Sequence, residues 1–171
     1  MEIPRGRKVL VIDDMREMEE MMELLLAHER DDRVAFARGG LQGLTLAEQQ
    51  PPELIILDLM MPDLTGYEVF RRLSVNPALA NIPVLLLTVL PPQMVYPEAH
   101  RLGIQGYICK PFEFETLLAA RDALLRGETY YPSLPGCAKK LYLTDSPSRV
   151  RIRSSQSISV ERHPYAAPEA S

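Results

Sequence analysis

The feature that most constrains the fold is the uninterrupted aliphatic run 54–57, which ends in the carboxylate of Asp58. An apolar run of this length without alternation is typical of a β-strand that is buried on both faces. Asp58 then lies where the strand leaves the core. Because a carboxylate at such a place is costly to desolvate, it needs partners at the same end of the strand.

Three further apolar runs have the same form, and they end in Asp13-Asp14, in Thr88 and in Lys110. Segments with helical spacing separate the runs, and this alternation predicts right-handed crossovers and a parallel sheet. We therefore predict an α/β fold with a doubly wound sheet of five parallel strands. Because parallel strands all end at one edge of the sheet, these polar residues are expected to meet Asp58 there, where ligands of such folds bind.

The predicted elements alternate along the chain. Strands are expected over 8–12, 33–37, 53–58, 84–87 and 107–109, and helices over 15–29, 40–49, 67–75, 97–102 and 112–126. Thr65 or Asp63 is a suitable cap for the third helix. The fourth helix is predicted to be short because Pro97 would lie inside a helix that began at Pro91.

Length and composition indicate one domain with an appendage. The chain has 171 residues, of which 46% are apolar and 25% charged, enough for a sizeable core. We assign residues 1–6 to an N-terminal tail and 7–126 to the domain. Residues 127–171 are assigned to a linker or mostly disordered C-terminal tail because Pro and Ser become frequent there. Residues 149–161 alternate with period two, which favours a short hairpin as the alternative for that stretch.

Charge and hydropathy disfavour several classes of function. Residues 1–126 hold 13 Lys and Arg against 19 Asp and Glu, a net charge of −6 that repels nucleic acid. The 45 residues after them are too few for a winged-helix DNA-binding domain, so nucleic acid is not an expected partner. No apolar run approaches the roughly 20 residues that span a membrane, and the N-terminus lacks an apolar signal region. We expect a cytoplasmic protein without a membrane contact.

The acidic residues at the predicted edge suit a divalent cation. Ionised carboxylates that share one site repel each other, so ionising all three costs free energy unless a cation binds between them. Ligands that offer only oxygen favour Mg2+ as that cation. Asp14 and Asp58 are the preferred ligands, with a backbone carbonyl just after Asp58, while Asp13 is expected to act through water. The pair Asp31-Asp32 precedes its strand, so it is expected in a turn at the opposite edge.

A carboxylate beside a cation is also a nucleophile toward phosphorus, and the product is an aspartyl phosphate. Such a transfer needs positioning and charge neutralisation above all. Lys110 and Thr88 supply an ammonium and a hydroxyl for it. The three histidines are scattered away from this edge, so we expect a phosphoacceptor that catalyses its own transfer and dephosphorylation, not an enzyme for an external substrate.

These residues resemble the response regulator receiver domain of two-component signalling, which has the CheY-like, flavodoxin-like fold. The resemblance covers roughly residues 7–126, most of the chain. The matching segments are 9–14, 54–62 with Gly66, Thr88, and 106–112.

The resemblance implies a role for each matching acidic residue. Asp58 corresponds to the phosphoacceptor, and Asp13 and Asp14 correspond to the acidic pair that holds Mg2+. Met60 corresponds to the residue whose backbone carbonyl ligates the metal. The implied phosphoryl donor is a phosphohistidine on a sensor histidine kinase or a phosphotransfer protein.

The resemblance also implies how the signal leaves the site. Lys110 corresponds to the lysine that contacts the phosphoryl oxygens, and Thr88 to the hydroxyl that moves toward them. Tyr107 corresponds to the aromatic switch whose ring turns inward behind that hydroxyl. The bond between Lys110 and Pro111 is expected to be a cis peptide. The implied partner is a downstream protein target, with a homodimer as one form of output.

Two departures from the family pattern affect these expectations. Val89 stands where the family usually has a small residue, and it is expected to narrow access to the phosphate. Pro91, Pro92 and Pro97 fall in the loop and fourth helix of the output face, which is therefore expected to be reshaped.

Other functions stay open as alternatives. The first is a receiver-like interaction module that works without phosphorylation. An aspartyl-phosphate phosphatase is disfavoured because position 60 holds Met where a second Asp is expected. A flavin-binding flavodoxin is disfavoured because the acidic edge would repel the flavin phosphate.

Overall fold

The computed structural model describes residues 5–131, and within them five strands form one parallel sheet. The strands are β1 (Lys8–Ile12), β2 (Arg33–Ala37), β3 (Leu54–Leu57), β4 (Val84–Thr88) and β5 (Gly106–Cys109). Their spatial order is β2-β1-β3-β4-β5, and this confirms the predicted doubly wound α/β fold. Residues 1–4 and 132–171, with the predicted hairpin over 149–161, lie outside the described residues.

Helices cover both faces of the sheet. The first helix, α1, is continuous through three segments: an α-helical segment Arg16–Met22, a π-helical segment Glu23–Ala27 and an α-helical end His28–Arg30. The other helices are α2 (Gly40–Gln49), α3 (Gly66–Val75), α4 (Pro92–Leu102) and α5 (Phe114–Leu125). α1 and α5 pack on one face, and α2, α3 and α4 on the other. The central strands β1, β3 and β4 bury side chains on both faces, which explains why their apolar runs do not alternate, whereas the edge strand β2 is only partly buried. In the described part of the chain, no helix has the length and apolar content needed to cross a bilayer.

Helix α4 is longer than the sequence predicts. It begins at Pro92 and contains Pro97, so the prediction of a short helix over 97–102 is wrong. Pro97 removes one backbone hydrogen bond, at a cost of about 3 kcal/mol in a helix interior. Burial of Val95, Tyr96 and Ala99 against the sheet offsets this cost, since one fully buried valine contributes roughly 1.5–3 kcal/mol.

The loop after β3 is fixed by caps on two helices. Thr65 caps α3 in a capping box, in which its hydroxyl accepts from the Glu68 N–H and its own N–H donates to the Glu68 carboxylate. Asp63 instead caps α2, and its carboxylate accepts from the N–H groups of Gly40 at 3.0 Å and Leu41 at 2.9 Å. The bond from Leu41 lowers the pKa of the Asp63 carboxyl.

After α5 the chain turns back along the outer edge of the sheet. Gly127 adopts a φ of 79°, and the chain then reaches the edge of β5 at Tyr130. Tyr130 forms a parallel bridge with Gly106. The sequence placed the end of the domain at residue 126, but in the structure Tyr130 and Tyr131 still pack against its core.

The edge opposite the strand ends carries a buried network of charges. Asp31 lies in the predicted turn, with a φ of 58°, but Asp32 differs because its side chain is completely buried against Arg121. The Arg121 Nε donates to Asp32 at 2.8 Å, and a second guanidinium nitrogen donates to the same carboxylate. Asp122 joins Arg121 to Arg30, which lies 3.1 Å away. The network ties α5 to the end of α1 and the start of β2.

We predict that Asp32→Asn destabilises the fold by about 3–5 kcal/mol, because the guanidinium groups of half-buried Arg30 and fully buried Arg121 then share the carboxylate of Asp122 and part of their positive charge is no longer balanced. Asp31→Asn is the matched control, since Asp31 pairs with Arg5 in solvent and an exposed pair contributes about 1 kcal/mol or less. Urea unfolding followed by circular dichroism measures both. Equal losses of unfolding free energy in the two variants would contradict the assignment.

Candidate functional site

The strand ends bring the predicted polar residues together by continuing the backbone ladder beyond the strands. The N–H of Asp13 donates to the carbonyl of Ala37 at 3.0 Å, and the N–H of Asp58 donates to the carbonyl of Ile12 at 2.9 Å. On the other side of β3, the N–H of Lys110 donates to the carbonyl of Thr88 at 2.8 Å. The backbone positions of the residues that carry these side chains are therefore set by sheet hydrogen bonds.

Three carboxylates and one ammonium form the centre of the site. Asp13, Asp14 and Asp58 each place a carboxylate oxygen within 4.8 Å of the other two. The Nζ of Lys110 lies 2.6 Å from Asp13 Oδ2 and 3.2 Å from Asp58 Oδ2. Asp13 and Asp58 are buried, whereas Asp14 is exposed. The three carboxylates and the ammonium carry a formal net charge of −2. The carboxylates offer only oxygen ligands, and this set fits one Mg2+ ion.

Backbone donors orient the two buried carboxylates. The N–H of Met15 donates to Asp13 Oδ1 at 2.9 Å, and the N–H of Met60 donates to Asp58 Oδ1 at 3.2 Å. Each buried carboxylate thus has one oxygen on a backbone donor and the other on Lys110. This direct contact with Lys110 is a feature of Asp13 that the sequence did not predict.

A second group of contacts links the site to Tyr107, the predicted switch residue. Thr88 is fully buried at the end of β4, and its Oγ accepts from the N–H of Leu90 at 3.3 Å. The carbonyl of Leu90 accepts from the Tyr107 hydroxyl at 2.6 Å. Burial raises the pKa of the Tyr107 phenol well above its ordinary value, so the hydroxyl remains a donor. The Lys110–Pro111 bond is cis, the form that the resemblance implies.

Comparison with known proteins agrees with this arrangement. A family model described as the response regulator receiver domain matches residues 9–122. The chain belongs to this receiver family. The solved structure of the chemotaxis response regulator CheY4 of Vibrio cholerae superposes with a TM-score of 0.62 at 31% identity, over 66% of this chain and 93% of that one.

Receiver proteins of two sizes are similar to this chain. RpaA of Synechocystis sp., a DNA-binding dual master transcriptional regulator, is 38% identical over 125 residues, which are 73% of this chain and 52% of RpaA. Protein PilH of Pseudomonas aeruginosa is 31% identical over 121 residues, which are 70% of this chain and 98% of PilH. The chain thus spans about half the length of RpaA and nearly all of PilH.

Three large, exposed apolar residues stand close to site residues in the sequence. Met15, Met60 and Val89 each follow a site residue closely in sequence, and each side chain is more than half exposed. Met60 presents its backbone N–H to Asp58 while its side chain faces solvent. Val89 is 65% exposed, so its isopropyl group lies at the surface and not in the core.

Several residues of the site region have no signal in the sequence. Leu90 acts through its backbone, which any residue except proline supplies, and its position between Thr88 and Tyr107 is visible only in the fold. Tyr96 packs edge-on against Tyr107, with ring centroids 5.2 Å apart. The ring of Tyr131 packs on Tyr96. The sequence signal for this contact is weak and consists of two adjacent tyrosines shortly after the predicted last helix.

Gly66 allows the N-terminus of α3 to approach the Asp58 loop. A Cβ at this position would overlap the carbonyl oxygen of Asp58 and lie 3.0 Å from the Cα of Leu59. Both are backbone atoms, which cannot rotate away. The close approach therefore holds the peptide that carries Asp58 in place.

We predict that Gly66→Ala destabilises the receiver by about 1–3 kcal/mol and weakens Mg2+ binding about tenfold or more, because it displaces a ligand-bearing peptide. Gly103→Ala is the matched control. Gly103 has a φ of 77° and open space around it, so alanine there costs about 1–2 kcal/mol in backbone strain alone. Isothermal titration with Mg2+ separates the two variants, and equal affinities would contradict the role of Gly66.

Proposed function

We propose that this receiver accepts a phosphoryl group from a phosphohistidine onto Asp58 and thereby changes a surface that a downstream protein recognises. The donor is a sensor histidine kinase or a phosphotransfer protein. The observation that carries the proposal is the cluster of Asp13, Asp14, Asp58 and Lys110. The cytoplasmic location and the homodimer expected from the sequence stay predictions.

The proposed transfer is a displacement at phosphorus. A carboxylate oxygen of Asp58 forms a bond to phosphorus while the bond from phosphorus to the donor imidazole breaks, and the electron pair of that bond stays on the imidazole nitrogen. Lys110 already contacts Asp58 Oδ2 and neutralises charge that develops on the phosphoryl oxygens. The Met60 N–H keeps Asp58 Oδ1 in a fixed orientation.

A metal ion has a defined place in this proposal. The carboxylates of Asp14 and Asp58 and the backbone carbonyl of Met60 would hold Mg2+, with Asp13 contributing through water. When bound, the ion supplies positive charge beside the transferred group. Without it, a doubly charged phosphoryl group would face three carboxylates and a single ammonium, and repulsion would oppose the transfer.

The output in this proposal begins at Thr88. Its hydroxyl turns toward the phosphoryl group, and the Leu90 backbone that bonds to it follows. The Tyr107 hydroxyl is hydrogen-bonded to the Leu90 carbonyl, so Tyr107 responds to the movement of the Leu90 backbone. The receiver also catalyses loss of its own phosphoryl group to water and acts on no external substrate.

The test is incubation of the full chain with Mg2+ and acetyl phosphate, followed by intact mass measurement. We expect one added phosphoryl group, which disappears in Asp58→Asn because the amide is not a nucleophile at this site. Asp31→Asn, a change at an exposed carboxylate far from the site, keeps the added mass. An unchanged mass of the native chain would favour the alternative, an interaction module that works without phosphorylation.

A further inference from the structure

The segment after α5 lies on the open edge of β5 in a manner that involves the switch residue. The backbone N–H of Tyr107 donates to the carbonyl of Tyr130 at 2.9 Å, and the N–H of Tyr130 donates to the carbonyl of Gln105 at 2.9 Å. Tyr130 therefore pairs with β5 in the manner of an added strand at one position, and the groups that it satisfies belong to the edge of the sheet.

The two tyrosines of this strand pack on opposite faces of the sheet. Tyr130 packs against the core under α1 and α5, and Tyr131 packs against the core under α4. The Tyr131 ring stacks on His100 at 4.5 Å and meets the edge of Tyr96 at 5.1 Å. Its hydroxyl donates to the carbonyl of Ile104 at 2.5 Å. The segment is thus held on the sheet by specific contacts of Tyr130 and Tyr131.

The same segment is connected to the phosphoacceptor site through packed atoms. Tyr96 lies between Tyr131 and Tyr107 and makes an edge contact with each ring. Tyr107 bonds to the carbonyl of Leu90, whose N–H bonds to Thr88. Tyr107 thus contacts the segment directly through its backbone N–H and is linked to it indirectly through the ring of Tyr96.

We infer that docking of residues 128–131 on β5 is the conformational output of this receiver, and that phosphorylation of Asp58 tightens it. The inference rests on the proposed function. A phosphoryl group that holds Thr88 also holds Leu90, and a fixed Leu90 carbonyl keeps the Tyr107 ring in the buried position on which Tyr96 packs. Tyr96 in turn supplies the surface that Tyr131 occupies.

Two consequences follow from such coupling. First, the influence is reciprocal, so loss of the docked segment must weaken binding at Asp58 by the factor by which phosphorylation strengthens docking. Second, a partner that pairs with the edge of β5 must first displace residues 128–131. Phosphorylation would then control when this edge is available.

Hydrogen exchange on the full chain tests the first direction. Mg2+ and acetyl phosphate are added, intact mass records phosphorylation in the same sample, and exchange is followed at the amides of Tyr107 and Tyr130. We expect exchange at both amides to slow on the order of fivefold or more in the phosphorylated protein. Unchanged or faster exchange in a protein that carries the added mass overturns the inference and leaves the proposed function standing.

Beryllium fluoride with Mg2+ tests the reciprocal direction, because it occupies the phosphoryl position at equilibrium. We expect Tyr131→Ala to weaken the binding of beryllium fluoride by the factor by which phosphorylation slows amide exchange. Tyr131→Phe keeps the ring and loses the hydrogen bond to Ile104, so we expect it to have a smaller effect. Val75→Ala is the control, since Val75 is exposed at the end of α3. Native affinity in Tyr131→Ala overturns the coupling, whereas no binding to the native chain removes the proposed function and the inference together.

Discussion

The site depends on the placement of one ammonium between two buried carboxylates. Asp13 and Asp58 are removed from most of their solvent, and like charges about 4 Å apart repel by roughly 4 kcal/mol at the effective dielectric near a protein surface. Lys110 bonds to both and offsets this repulsion. The exposed Asp14 keeps the cluster negative, so its charge favours a divalent cation at this place.

The parallel sheet makes this placement possible. Asp58 and Lys110 are 52 positions apart in sequence, and Asp13 and Lys110 are 97 apart. Each follows the C-terminal end of a strand, and the ladder hydrogen bonds that continue past those ends fix their backbones. Gly66 adds a constraint from the far side, where α3 begins against the Asp58 peptide. At the opposite edge, Asp32 and Arg121 form a charge pair that is fully enclosed and has a structural role.

Much of this arrangement could be predicted from local patterns. Apolar runs without alternation identified the strands, and their polar ends identified the candidate site, because both follow from burial on two faces of a parallel sheet. The extent of α4 could not be predicted, since Pro97 opposes a helix locally and only tertiary packing of Val95 and Tyr96 overrides it. Asp32 resembled a turn residue because its partner, Arg121, is 89 positions away. Tyr131 has the same limitation, since its stacking on His100 depends on how α4 packs.

We propose that these distant side chains together bind one divalent ion at the end of β3. A crystal of the full chain grown with Mn2+, which shares the oxygen-ligand preference of Mg2+ and scatters anomalously, tests it most directly. We expect one anomalous peak at this edge of the sheet, from an ion bonded to carboxylate oxygens of Asp14 and Asp58. A peak elsewhere on the receiver, or none at this edge under saturating Mn2+, would contradict it.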